Sequence, residues 1–463
     1  MRYENGKMKD IKISYIGGGS RGWAWTLMND LGRESVLSGS VYLYDLDKEA
    51  AKINETIGNK LSAQDNVKSV WKYVAADTLK EALEGSDFVV VSITPKTLDE
   101  MEIDVHAPEQ YGIYQSVGDT TGPGGFVRAM RTIPMFNEIA LGIKEWCPNA
   151  WVLNFTNPMA ICVKALYEAF PEIKAFGCCH EVFGTQKLLA TILDEKLGIK
   201  DVPREDITVN VFGVNHFTWV TGAHYKDMDL FPVYDKYVDK VHAGEIITFD
   251  KNGPKSIMFH SHEFVKMDLF KRYGYIAAAG DRHLAEFVPI EWYMKDPKQV
   301  EEWGYGLTTI DWRWNDLKNR LEKSRQFLDG EKKFELGISG EEGVLLIEAL
   351  LGYSDFISNV NLPNMGQIPN LPLGVVVETN ASFRADSVNP IVAGPLPDTL
   401  YGLIAPIVAE QEMVVEAGLT RNIELAFKAF SSSNHMPLPT AEARKLFDEM
   451  IENTKEYLTE YNI

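Results

Sequence analysis

The sequence predicts an α/β protein. An N-terminal doubly wound, Rossmann-like parallel sheet spans residues 9–200, and a mixed α+β domain follows over 201–463. Three observations carry this. A β-rich run at 11–16 leads directly into Gly17-Gly18-Gly19-Ser20-Arg21-Gly22, which fits G-x-G-x-x-G and opens a helix-like stretch through Asp30. A second strand, 40–45, ends in the acid Asp45, at the spacing of about 20 residues that a ribose-binding carboxylate requires. Apolar runs at 87–94, 151–155 and 173–178 then alternate with helical patterns, as parallel strands joined by crossovers do.

Taken in order, the glycines let the backbone approach a pyrophosphate, and the helix N-terminus behind them offers free N–H groups and a favourable dipole. With no Arg following Asp45, the pattern favours NAD over NADP. The run 87–94 ends at Thr94 and is stopped by Pro95, which places Thr94 on the cofactor side. Residues 117–125, Val-Gly-Asp-Thr-Thr-Gly-Pro-Gly-Gly, are too polar and glycine-rich for a regular element. They read as a loop, either over a site or as a surface turn, before a helix carrying Arg128 and Arg131. In Asn154-Phe-Thr-Asn157-Pro158, Asn157 suits an N-cap with Pro158 as the first helical residue; alternatively the two amides hold sugar hydroxyls or a nicotinamide.

At 463 residues the chain can bury two large cores, and 45% hydrophobic with 24% charged residues is ordinary for a globular protein. A formal charge of -20 argues against nucleic acid or an anionic membrane as partner, and no run is long enough for a membrane span. A small acidic ligand would need a local cationic pocket. Cys147, Cys162, Cys178 and Cys179 show no framework spacing, and the adjacent pair cannot close an ordinary disulfide. With a polar N-terminus, this points to the cytoplasm.

Chemistry concentrates at 175–182, Ala-Phe-Gly-Cys-Cys-His-Glu-Val. A thiolate and an imidazole suit a borderline divalent metal, and two such ligands leave coordination positions open. Cys179 is the candidate thiolate, and His216, ending the run Val211-Phe-Gly-Val-Asn-His, is the natural distant partner; the bland alternative is a small buried Cys. Past residue 200, Asp281, Arg282, His283 and Glu286 cluster at the start of a helix-like stretch, where Asp281 can equally be an N-cap. His260 and His262 read as a solvated turn or as further metal ligands. Residues 359–372 read as a loop rich in Asn and Pro, 375–381 as a strand, and 423–430 and 440–461 as helices.

Together the glycine turn, Gly-Asp-Thr-Thr-Gly-Pro-Gly-Gly, Asn-Phe-Thr-Asn-Pro, Cys-His-Glu-Val, Val-Asn-His and Gly-Asp-Arg-His resemble glycoside hydrolase family 4, the NAD- and metal-dependent glycosidases, over residues 11–290. Cys179-His180-Glu181-Val182 is similar to the α-galacturonidase subgroup. The resemblance implies a lactate/malate-dehydrogenase-like fold whose second domain binds substrate and makes oligomer contacts. It implies an exo-acting enzyme on small pectin fragments, an anionic oligosaccharide substrate, and a homodimer or homotetramer. The implied reaction oxidises C3 of the sugar with NAD+, removes the acidified C2 proton, breaks the C1–oxygen bond, adds water and returns the hydride. Mn2+ on Cys179 and His216 would polarise the C2 and C3 oxygens. Asp281 is implied as the C2 base, with Tyr275 or Tyr273 as the alternative, and His180 as the acid for the leaving oxygen. Asp119, Asn154, Asn157, Arg282 and His283 are implied substrate contacts, with Arg282, Arg128 or Arg131 meeting the uronate carboxylate. Competing readings are an α-glucuronidase, a 2-hydroxy acid dehydrogenase, and a silent NAD-binding redox sensor using Cys178 and Cys179.

Overall fold

The computed structural model describes residues 1–246, 262–433 and 436–461; His260 lies outside them. The first half of the chain supplies β1 (Arg2–Glu4), β2 (Lys7–Ile16), β3 (Leu37–Tyr44), β4 (Trp71–Ala75), β5 (Phe88–Val91), β6 (Trp151–Asn154) and β7 (Lys174–Cys178). A second sheet contains β8 (Ile207–Val214), β9 (Phe217–Tyr225), β10 (Met228–Asp229) and β11 (Ile276–Ala277), and β12 (Phe356–Pro363), β13 (Val376–Arg384) and β14 (Ser387–Pro390) follow. The main sheet runs β14-β13-β12-β7-β6-β5-β2-β3-β4, and the six strands from β7 to β4 are parallel. This is the doubly wound order. The chain turns outward on one side after β2 and on the other from β5, so a crevice opens between their carboxyl ends.

Period-two alternation buries both faces. Ile13 and Tyr15 of β2, with Phe88 and Val90 of β5, join the apolar cluster that contains Trp25, Leu31 and Ile347. Ile16, Val89 and Val91 face the other way, against Ile133, Phe136 and Ile139 of helix Gly122–Trp146. Each such side chain contributes roughly 1.5–3 kcal/mol on burial.

The change of pattern near residue 200 marks the end of the parallel strands but not of the sheet. β12 pairs antiparallel with β7, β13 and β14 extend it, and Phe430, Phe447 and Met450 pack on the first sheet's face. The stretch expected to be a loop over 359–372 opens instead with the end of β12, through Pro363, because Asn359 and Asn361 find buried partners in the sheet; 364–372 is irregular as expected. Helices are present at Ile423–Ser432 and Thr440–Glu452, the latter ending before the expected 461. Among the described residues no helix is long and apolar enough to cross a membrane.

Candidate active site

The glycine turn sits in the crevice. Gly17 has φ +96, and a Cβ there would lie 2.0 Å from the Ser92 carbonyl oxygen just beyond β5; a Cβ on Gly18 would lie 2.7 Å from Leu43. Gly17 and Gly18 donate their N–H groups to the Tyr44 carbonyl at 2.9 Å, while Asn54 Nδ2 donates to the carbonyls of Gly18 at 2.8 Å and Ser20 at 2.9 Å. Helix Trp23–Arg33 follows with no side-chain cap and no acid in its first turn, leaving its N–H groups to an anion. The Gly19 N–H donates to Asp45 Oδ2 at 2.8 Å, fixing the acid at the end of β3. Arg320 reaches in from helix Ile310–Asp329 to the Arg21 carbonyl at 3.1 Å. This cradle, closed to any Cβ, fits a dinucleotide. Thr94 is exposed beyond β5, at the same end of the sheet.

The metal candidates lie at the carboxyl end of β7 and at a hairpin tip. Val214 pairs with Phe217, so Asn215 and His216 form a two-residue turn, and His216 takes φ 64. Asn215 Nδ2 donates to Glu378 Oε2 at 3.1 Å, which ties the hairpin tip to β13. His216 Nδ1 lies 2.9 Å from Thr120 Oγ1, whose own hydrogen goes to Asp119 Oδ1 at 2.9 Å. The Nδ1 proton must therefore belong to His216, which leaves the Nε2 lone pair for a ligand. Burial, then His283, lowers the His216 pKa to about 3, keeping the imidazole neutral as ligation requires. Burial, then Glu378 and Glu181, holds the Cys179 thiol well above its ordinary range. Among the described residues no set of three or more His, Cys, Asp or Glu is gathered to hold a metal. One thiolate and one neutral imidazole, however, are a donor set that fits a divalent ion sharing its remaining positions with substrate oxygens.

Around this pair the fold gathers a charged cluster. The His283 ring stacks on His216 with centroids 3.8 Å apart, and its Nε2 lies 3.7 Å from Glu181 Oε1. Glu181 Oε2 accepts from the Gly280 N–H at 2.7 Å, and His283 Nδ1 has no partner among the described residues. Burial would raise the Glu181 carboxyl, but His283, His216 and His180 outweigh it and hold its pKa at about 2. Asp119 is likewise ionised: burial opposes, but Arg128, His283, His216 and Arg313 hold it below the ordinary range. The loop carrying Asp119 is pinned by Glu286, whose Oε1 accepts from the N–H groups of Val117 at 2.7 Å and Gly118 at 2.8 Å. It is therefore an ordered wall rather than a surface turn. Its glycines begin helix Gly122–Trp146, where a Cβ on Gly124 would meet the Asp104 carbonyl at 2.6 Å and one on Gly125 would meet Thr120 at 2.5 Å.

Cations crowd the same wall. Arg128 is 5% exposed; its Nε donates to the Asn157 carbonyl at 2.8 Å, and its Nη1 has no partner among the described residues. Arg313 donates to the Val117 carbonyl at 2.7 Å and Arg282 to Thr308 Oγ1 at 2.7 Å. Arg131 and Lys96 share Asp104, and Arg131 also holds Thr454 at 2.9 Å, so Arg131 is committed to the fold. Burial, then these arginines, depresses Lys96 well below its usual value.

Several sequence expectations are placed elsewhere. The Asp281 carboxylate accepts from the N–H groups of Val265 at 3.3 Å and Lys266 at 3.0 Å, so it caps helix Phe264–Tyr273, while Gly280 is the N-cap of its own helix. Burial, then Glu263, raises its pKa to about 7. Tyr275 and Tyr273 pack at the edge of the apolar cluster around Trp219. The Asn154 amide is consumed in a turn with Thr156, both bonds 3.0 Å. Asn157 precedes a cis peptide and does not cap; Pro158 is the N-cap, and Asn157 Oδ1 has no partner among the described residues. His180 stands half-exposed at the rim, its Nδ1 3.1 Å from Glu341 and its ring stacked on Trp23. Hydrogen bonding to Glu341 raises its pKa. Burial likewise pushes the Cys178 thiol well up, so neither adjacent thiol has the depressed pKa a redox sensor needs. The sequence singles out Glu286 with Asp281, Arg282 and His283, but not Thr120, Asn215, Arg313 or Glu378; Thr120 and Asn215 lie inside marked motifs, and Glu378 is an acid inside an apolar run.

Comparison with known proteins accords with this geometry. Residues 12–195 match the family 4 glycosyl hydrolase model and residues 211–436 its C-terminal domain model. The chain is 58% identical, over the full length of both chains, to an α-galacturonidase of Thermoanaerobacterium saccharolyticum. A Bacillus subtilis protein solved under a provisional glucosidase assignment is 47% identical, with a TM-score of 0.90 over 96% of this chain and 100% of that one. A 6-phospho-α-glucosidase from gut microorganisms, solved with NAD and Mn2+, shares the fold at 21% identity and TM-score 0.79, covering 97% of this chain and 99% of that one.

Proposed function

This chain belongs to family 4 of the glycosyl hydrolases, and from that premise we propose that it is an exo-acting α-galacturonidase that releases galacturonate from small α-galacturonides such as digalacturonate. The observation that carries the substrate class is Arg128, a buried guanidinium with an unpartnered Nη1, set among Lys96, Arg282 and Arg313. Asp119 offsets its charge but leaves Nη1 without an acceptor, and a uronate carboxylate matches its planar fork. The name of the 58% identical relative supports the same choice.

Bound NAD+ and a divalent metal, Mn2+ in this reading, would supply reversible oxidation at C3 and polarisation of the C2 and C3 oxygens. Gly17 to Gly22 would hold the pyrophosphate and Asp45 the ribose, with Cys179 and His216 holding the metal. His283, kept neutral by burial and with Nδ1 unpartnered beside His216, takes the C2 proton, and the ionised Glu181 stabilises the imidazolium that forms. Asp281 and Tyr275 are not assigned this role, because the first is turned into a helix cap and the second into an apolar edge. His180, held by Glu341 at the rim, donates to the leaving oxygen. Asp119 orients the sugar through its ionised carboxylate. Four free cysteines fit a reducing cytoplasm, where we place the enzyme as a homodimer or homotetramer acting on pectin-derived fragments.

The test is release of galacturonate from digalacturonate with NAD+, Mn2+ and a thiol reductant, each omitted in turn, beside the α-glucuronide analogue. Activity on the galacturonide that disappears without NAD+ or metal supports the reading. Preference for the glucuronide overturns the substrate, and net NADH formation without glycoside cleavage overturns the reaction.

A further inference from the structure

The antiparallel extension of the main sheet does more than cover an edge. Glu378 of β13 stands opposite Asn361 of β12, which stands opposite Gly177 of β7, so three paired residues line one face two positions before Cys179. Glu378 is 1% exposed, and both its oxygens are engaged: Oε1 accepts from Asn359 Nδ2 at 2.7 Å and Oε2 from Asn215 Nδ2 at 3.1 Å. Asn359 Nδ2 also donates to the Cys179 carbonyl at 3.0 Å. Asn215 is also the residue before His216. A single carboxylate therefore reaches the His216 turn through the Asn215 amide and the Cys179 backbone through the Asn359 amide.

The tie does more than brace the sheet. Each oxygen of Glu378 is committed to an amide whose second bond or whose chain neighbour is a metal-ligand candidate, so the orientation of this one carboxylate is passed to both. We propose that Glu378 is a positioning residue for the metal: through Asn215 and Asn359 it sets His216 and Cys179 in ligating geometry. This rests on the metal assignment above and adds to it a residue outside the coordination sphere, contributed by a strand more than 150 positions along the chain.

The test is Mn2+ affinity, read from the free-ion EPR signal of the NAD-loaded chain. Glu378→Gln keeps the side-chain shape but replaces one of the two accepting oxygens by a donor, so one of the two amide ties is lost. Loss of a partner behind a ligand weakens metal binding by about 10- to 100-fold, and that is the expected result, with NAD+ affinity unchanged within twofold. A purely structural carboxylate would instead lower the melting temperature of the metal-free chain and leave Mn2+ affinity of the folded fraction untouched, which would overturn the proposal. Glu378→Asp covers the case in which the glutamine variant does not fold. It retains the charge but lengthens the tie to Asn215, so its Mn2+ affinity should fall severalfold; wild-type affinity in a folded aspartate variant would overturn the proposal. A wild-type chain that binds no Mn2+ would remove the metal assignment itself, an outcome separate from wild-type binding that the variants leave unchanged.

Discussion

Replacing Arg128 by Lys separates charge from fork geometry at the proposed carboxylate site. The native guanidinium spends Nε on the Asn157 carbonyl at 2.8 Å and leaves Nη1 unpartnered among the described residues. A lysine ammonium keeps the positive charge beside Asp119 but cannot hold Asn157 and meet a carboxylate edge-on at once. One charge-assisted hydrogen bond contributes about 1.5–3 kcal/mol net. At about 1.4 kcal/mol per decade, Arg128→Lys should lower kcat/KM on digalacturonate by roughly 10- to 150-fold. The assay is initial-rate hydrolysis, with inhibition constants for galacturonate and galactose measured on the same preparations. Galacturonate inhibition should weaken in parallel with kcat/KM, whereas galactose, lacking the carboxylate, should inhibit as before. Equal weakening for both sugars, or no loss on digalacturonate, would refute the assignment of the carboxylate to Arg128.

His283→Asn should lower kcat by about 10²- to 10⁴-fold, the range for loss of a general base, with Mn2+ and NAD+ binding retained; a kcat within threefold of wild type excludes His283 as the base. Because Cys179 is held above the ordinary thiol range, binding of a divalent ion must release its proton. Apparent Mn2+ affinity should therefore rise about tenfold per pH unit between pH 6 and 8, and a flat EPR titration over that range would exclude thiolate ligation. Burial raises Glu286 from 4.5 to about 7, so its contribution to stability is complete below pH 4.5 and is lost as pH rises through 7. Glu286→Gln escapes that loss, and from pH 5 to pH 8 it should gain up to about 3 kcal/mol relative to wild type in urea unfolding of the metal-free chain; an unchanged difference between the two pH values would contradict the assigned shift.

What could be read in the sequence was what depends on local spacing. Gly17 to Gly22 and Asp45 announce strand, turn and acid because each requirement is met within one βαβ unit, and Cys179 and His216 stand out because their chemistry is rare. Residues whose roles depend on distant pairing were illegible or misread. Asn359 and Asn361 read as loop residues until β12 pairs with β7 and supplies partners for their amides. Asp281 carries the mark of an N-cap or a base, yet it serves the neighbouring helix that packs beside it. Asn157 has a capping sequence, but the N-cap falls on Pro158. Arg313 sits in a helix rich in charge and only the fold distinguishes it from its solvated neighbours.

The central claim is a redox-neutral elimination in which the proton on C2 of the sugar is removed and replaced, and hydrolysis in D2O tests it most directly. Released galacturonate should carry deuterium at C2, seen by proton NMR, while absorbance at 340 nm shows no net NADH. Cleavage that leaves the C2 hydrogen unexchanged would mean that the bond is broken by direct displacement at C1, and the account built on His283 and the metal pair would be wrong.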